Sequence, residues 1–104
     1  MKRSRYALGQ LVTHTQFQYR GVIVDVDPQF SLEDAWYDAV ARTRPPKDEP
    51  WYRVLVDGTA QETYVAERNL LPDAQQRPIE HPDLHRYLVR LEDGQYVRNR
   101  LHLN

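Results

Sequence analysis

The alternation of apolar and polar residues changes period several times along this chain, and each change marks an element. Over Arg20–Asp27, alternate positions separate Val22, Val24 and Val26 from Ile23, Asp25 and Asp27. Period two is the mark of a β-strand, so one face is predicted to enter a core while the other turns acidic toward Pro28. Residues 9–15 predict a preceding strand that opens at Gly9, with residues 16–19 turning the chain so that the two pair antiparallel. Gly21, inside the second strand, predicts a bulge or a close backbone approach. Trp51–Val56 resumes the strand pattern, Asp57-Gly58 supplies turn chemistry, and Glu62–Ala66 returns as the partner of a hairpin. Residues 67–70 predict a single helical turn ended by Leu71-Pro72.

Between these hairpins the period lengthens. Leu32, Ala35, Trp36, Ala39 and Val40 recur at helical spacing, predicting a helix over residues 31–43 with Ser31 as N-cap. Glu33 and Asp34 suit its positive end, and Phe30 with Ala35 forms a weak hydrophobic staple. Residues 44–50 carry three prolines and predict an extended, solvated connection. Toward the C-terminus, Pro82 predicts a short helix through Tyr87 with Leu84 and Leu88 facing inward, and Asp93-Gly94 predicts a second tight turn. The fold class is mainly β: a small antiparallel SH3-like barrel with one inserted helix and a short C-terminal helix or hairpin. A split β-sandwich is the alternative.

Composition narrows the function. A chain of 104 residues fits a single domain, 1–104, with residues 1–5 and 98–104 expected as flexible ends. With no cysteine, disulfides, thiolate nucleophiles and Cys-based metal sites are excluded. The basic start is followed by no apolar run of signal-peptide or membrane-spanning length, so a cytoplasmic protein without a membrane partner is expected. The net charge of -1 hides an uneven distribution. Residues 1–24 sum to +4, residues 25–83 to -7 and residues 84–104 to +2. DNA binding draws on Lys and Arg to neutralise phosphates, so this overall balance weighs against it unless the basic ends meet or copies assemble.

Three constellations bear on chemistry. Asp25 and Asp27 lie about 7 Å apart on one strand face, but no further ligand accompanies them, so a solvated strand end is the simpler reading. His81 and His85 have the spacing of a zinc pair, yet Pro82 displaces His81 to the cap and a third ligand is missing. His14 with Asp25 or Asp27 and Ser4, Ser31 or a threonine spells a triad on paper, without any nucleophile-elbow context. No enzyme, cofactor or metal is expected. The aromatic residues offer more: Trp36, Tyr37, Trp51 and Tyr52, with Tyr64, will mostly cover the core, but some are candidates for a partner-binding groove.

Four ordered stretches carry a resemblance: residues 9–14, Tyr19 through Pro28, Pro50 through Val56, and Thr63 through Leu70. Together they resemble the heat shock protein HspQ family, also called the YccV-like hemimethylated DNA-binding domain. The resemblance implies a non-enzymatic β-barrel protein of the bacterial cytosol that forms homo-oligomers. It implies two roles: modulating proteolysis by the Lon-type ATP-dependent protease, as substrate and specificity enhancer, or binding hemimethylated DNA in replication-initiation control. The charge balance favours the protease role. For the DNA role the candidates are Lys2, Arg3, Arg5, Arg86, Arg90, Arg98 and Arg100.

Overall fold

A computed structural model describes residues 3–99. Five strands, β1 (Leu11–His14), β2 (Arg20–Asp27), β3 (Trp51–Val56), β4 (Glu62–Ala66) and β5 (Leu70–Pro72), form one antiparallel sheet in the order β4-β3-β2-β1-β5. Helix α1 (Asp34–Val40) lies in the β2–β3 connection, and a 3-10 turn (Glu67–Asn69) joins β4 to β5. Helix α2 (Leu84–Tyr87) then leads into a second sheet, the hairpin of β6 (Leu88–Glu92) and β7 (Gln95–Arg98). Mainly antiparallel β is thus the class. The sheet does not close: among the described residues β4 and β5 share no ladder.

The sheet is buried on both sides, which the alternation did not suggest. Val12, Ile23, Tyr52, Val54, Val65 and Leu70 pack on one face with Tyr6 from the N-terminal segment. Leu11, Val22 and Leu55 pack on the other against Ile79, Leu84, Leu88 and Tyr96 from the C-terminal layer. Strand β2 serves both cores because its register with β3 shifts between Ile23 and Asp25. The extra residue, Val24, stays on the face of Val22, while Val26 moves to the face of Ile23. The bulge therefore sits at Val24 and not at Gly21. Gly21 instead marks a close approach: a Cβ there would overlap Val54 Cγ1 and come within 2.7 Å of the Leu55 carbonyl oxygen.

Backbone pairing fastens the C-terminal layer to the first strands. Gly9, at φ +86°, donates its amide to Ile23 and accepts the Tyr96 amide at 2.8 Å. A side chain at Gly9 would collide with the Tyr96 carbonyl, so only glycine permits this contact. Asp93 and Gly94, both at positive φ, form the two-residue turn between β6 and β7, as the sequence predicts. Leu84 and Leu88 face inward as predicted, although α2 begins at Leu84 and Leu88 already belongs to β6.

The connector from β5 to α2 is held by a buried charge. Arg20 is 11% exposed and donates Nε to Asp73 at 3.0 Å, Nη1 to Asp57 at 3.0 Å and Nη2 to the Arg77 carbonyl at 2.7 Å. Asp73 also accepts from the Thr13 hydroxyl and the Gln76 amide, and Asp57 from the Glu80 amide. Burial pushes the Asp73 carboxyl up, but the Arg20 and Thr13 hydrogen bonds, the Arg20 charge and the Gln76 amide outweigh it and hold the group below its ordinary value.

Helix α1 departs from the expected residues 31–43. Ser31 is not its cap: the Ser31 amide donates to Tyr64 Oη and its hydroxyl to the Gln29 carbonyl. Phe30 packs on Trp36, Tyr37, Trp51 and Tyr64, which keeps residues 30–33 out of the helix, and Ala35 is exposed, so no staple forms. Ala39 and Val40 are also exposed, and Tyr37 is the buried residue of the helix. The proline loop is not a solvated spacer. Pro45 and Pro50 are buried, and the Pro45 and Pro46 carbonyls accept Tyr37 Oη at 2.7 Å and Trp51 Nε1 at 3.0 Å. Buried Tyr and Trp need acceptors for their polar tips, and this loop provides them.

Replacing Arg20 by Ala leaves Asp73 buried without its counter-charge, which costs about 3–5 kcal/mol. Urea unfolding of R20A is expected to show a loss in that range, whereas Arg44→Ala, at an exposed pair with Asp38, is expected to be near neutral.

Candidate functional site

The aromatic residues that were candidates for a partner-binding groove mostly cover the core, as the sequence reading favours. Trp51 is 2% exposed and Tyr52 0%, so neither offers surface to a partner, and Tyr37 is buried as well. Trp36 is half-buried and is the one member of the four with surface left. Tyr52 belongs to a different core from the others: its hydroxyl accepts the Arg5 and Tyr6 amides and donates to Glu67 at 2.6 Å. Burial and the Glu67 contact raise its pKa strongly. Tyr64, stacked on Trp51 at 5.3 Å, is pushed up to about 12 by burial and by its 2.6 Å bond to Asp27.

The predicted basic residues divide into two groups. Arg3 and Arg5 are exposed on the N-terminal segment that packs through Tyr6 on one sheet face. Arg86, Arg90 and Arg98 are exposed on the C-terminal layer, which covers the opposite face. Arg86 lies 3.8 Å from Asp83, and Arg90 donates to Glu92. Of the ends expected to be flexible, 1–5 and 98–104, residues 1–2 and 100–104 lie outside the described residues, Lys2 and Arg100 with them, while Arg98 closes β7. Arg5 is anchored through its amide to Tyr52 Oη and, at 2.7 Å, to Glu67.

That anchor joins Arg5 to a cation the sequence reading passed over. Arg68 follows Glu67 in the 3-10 turn and is exposed. Its place in the acidic middle segment concealed it; the topology brings the 3-10 turn beside the basic N-terminus. Glu67, the nearest acid in sequence, is already engaged by the Arg5 amide and Tyr52. The next residue, Asn69, accepts the Thr15 amide at 2.9 Å and so attaches the β1–β2 turn. Arg3, Arg5, Arg68 and that turn form the candidate site.

His14 builds the turn. Its Nδ1 accepts the amides of Gln16 at 3.1 Å and Phe17 at 3.2 Å, which requires the neutral ring, and burial lowers its pKa. With its Nδ1 engaged by turn amides, His14 does not form the triad considered above. Asp25 and Asp27 are also separated by role: Asp25 accepts the Val26 amide and lies 3.8 Å from Arg53, whereas Asp27 holds Tyr64. His81 accepts the Asp83 amide on Nδ1 and pairs through Nε2 with the Gln61 carbonyl at 2.9 Å, while His85 is exposed. Among the described residues no three His, Asp or Glu side chains are placed to hold a metal ion. Nor is any helix among them long and apolar enough to cross a membrane.

The chain is thus a small, mainly antiparallel β domain that packs most of its aromatic residues inward, Phe17 excepted, and exposes arginines near one turn. A family model described as hemimethylated DNA-binding protein YccV like matches residues 4–95, and the chain belongs to that family. The match extends past the four stretches that carried the resemblance and takes in the Arg20–Asp73 network, α2 and most of the second hairpin.

The turn is expected to weaken in acid. Because the folded His14 pKa lies below its ordinary value of 6.5, the unfolded chain takes up the proton first. Its contribution is therefore complete above that value and falls as pH drops toward the folded pKa. Denaturant titrations between about pH 7 and about pH 5 should show declining stability, with a shallower decline in His14→Asn, whose amide still accepts turn N–H groups without titrating.

Proposed function

We propose that this chain is a non-catalytic binding protein whose ligand is hemimethylated DNA. Family membership over residues 4–95 supports this, and one observation of the site carries it further. The net charge of -1 is a poor guide to the local surface. Arg5 and Arg68 are exposed beside the 3-10 turn, Arg3 is exposed two residues before Arg5, and Glu67 is occupied by internal hydrogen bonds. Among the described residues no acid pairs with these three guanidinium groups, and cations so placed are what phosphate contacts need. A homo-oligomer would repeat this patch and supply the affinity one copy lacks. The open sheet is read as an SH3-like barrel variant acting in the cytoplasm, with the 3-10 turn carrying the chain between its edge strands.

A second reading is a heat-shock and protein quality-control role, in which the domain modulates proteolysis by the Lon-type protease. The loss of Trp51 and Tyr52 as contact residues moves this reading to the outer side of α1. There Val40 is 54% exposed beside half-buried Trp36, a small apolar surface suited to a protein partner.

Fluorescence anisotropy on hemimethylated, fully methylated and unmethylated duplexes across a salt series separates the readings. Preference for the hemimethylated duplex is expected, and Arg68→Ala should reduce the log–log salt slope by about 1. Equal binding to all three, or none at low salt, would overturn the DNA reading. For the second reading, Lon-type protease should degrade a model substrate at a changed rate when this protein is added, and Val40→Asp should abolish the change.

A further inference from the structure

We infer that Phe17 is an apolar wedge that enters the base stack of a DNA duplex, with Arg68 and the N-terminal arginines holding the adjoining phosphates. This deepens the DNA-binding reading and rests on it. Phe17 is 71% exposed, and among the described residues it is the most exposed large hydrophobic side chain and the one aromatic ring in that group. A ring this exposed gains little for folding, and an exposed apolar side chain on an ordered turn is the usual mark of a contact surface.

The turn that carries it is tightly specified. His14 donates its amide to the Tyr19 carbonyl and accepts the Gln18 amide on its own carbonyl, both at 2.9 Å. Its Nδ1 receives two further amides, including that of Phe17 itself. Gln18 takes φ 58°, an unusual conformation for a non-glycine residue. The Phe17 ring rests beside the His14 ring, with centroids 4.8 Å apart, and His14 in turn packs on Tyr19 at 5.1 Å. The protruding side chain thus stands on a buried support, which lowers the entropy lost when it is inserted elsewhere.

Its surroundings identify the partner. Thr15, Gln16 and Gln18 are exposed, uncharged and able to hydrogen-bond to base edges or phosphates. The Thr15–Asn69 hydrogen bond attaches the turn to the 3-10 turn that carries Arg68. An apolar protein partner would ask for more apolar neighbours than this turn provides. Single-stranded nucleic acid is usually bound on a row of aromatic rings along a groove. One ring at the tip of a rigid turn, flanked by amides and arginines, has the form of side chains that wedge between base steps and kink a duplex.

The test compares wild type, Phe17→Ala and Phe17→Leu on a doubly dye-labelled hemimethylated duplex, reading affinity by anisotropy and bending by energy transfer. Phe17→Ala should bind roughly ten- to a hundred-fold more weakly, scaled from the loss of one base–aromatic contact, with an unchanged salt slope because no charge is removed. Bound duplex should then show no bend, while Phe17→Leu, still an apolar wedge, should retain most of both signals. Equal affinity and bending in wild type and Phe17→Ala would overturn the wedge while leaving DNA binding intact. So would a loss seen on a single-stranded oligonucleotide but not on the duplex. Failure of the wild type to bind any duplex would instead remove the DNA reading, and the wedge with it. Far-ultraviolet circular dichroism of the variants controls for folding, which this exposed position should not disturb.

Discussion

The guanidinium of Arg20 is the charge on which the arrangement of this domain depends. It sits at the start of the central strand, nearly out of water, and reaches two carboxylates and a carbonyl from two separate parts of the chain, the β3–β4 loop and the β5–α2 connector. A buried ion pair contributes little net stability on its own, but one in which each guanidinium nitrogen and each carboxylate oxygen makes a hydrogen bond admits few alternative arrangements. Asp73 fixes where the chain leaves β5, Asp57 fixes the β3–β4 loop, and Glu80 is drawn in through Asp57. The segment between Asp73 and Glu80 therefore runs along a defined path despite having no regular secondary structure. That path delivers Ile79 and α2 to the outer face of the sheet.

Burial on both sides follows from that delivery. The strands β1, β2 and β3 alternate between two cores, and Val24 lets β2 shift its alternation midway. The third cluster, around Trp51, closes the end of the sheet with α1 and the proline loop. These layers take up the large aromatic side chains and leave Phe17 as the exception.

Much of the strand plan was legible because it is local. Period-two alternation placed β2, β3 and β4, and Asp93-Gly94 specified its turn through positive φ at both positions. The helix was misplaced for a tertiary reason: Phe30 and Ser31 have good helix-start chemistry, but Tyr64 and Trp51 capture them first. The groove stood as an alternative because Trp and Tyr mark partner surfaces and cores alike, and the acceptors that decided the matter were carbonyls of a loop that looked solvated. Which of the basic residues share a surface depends on topology. Arg68 joins Arg5 only through a 62-residue-distant hydrogen bond, and nothing in the local sequence announces it.

The two-sided burial of the sheet has a consequence for synthesis. The five strands of the main sheet are complete in the chain by Pro72, yet the cover for Leu11, Val22 and Leu55 comes from residues translated later. A nascent chain that has finished its sheet still presents that apolar face to water until Ile79, Leu84, Leu88 and Tyr96 emerge. The C-terminal layer thus closes a face that the sheet cannot cover with its own residues, and a chain cut before Ile79 would leave that face as an aggregation surface.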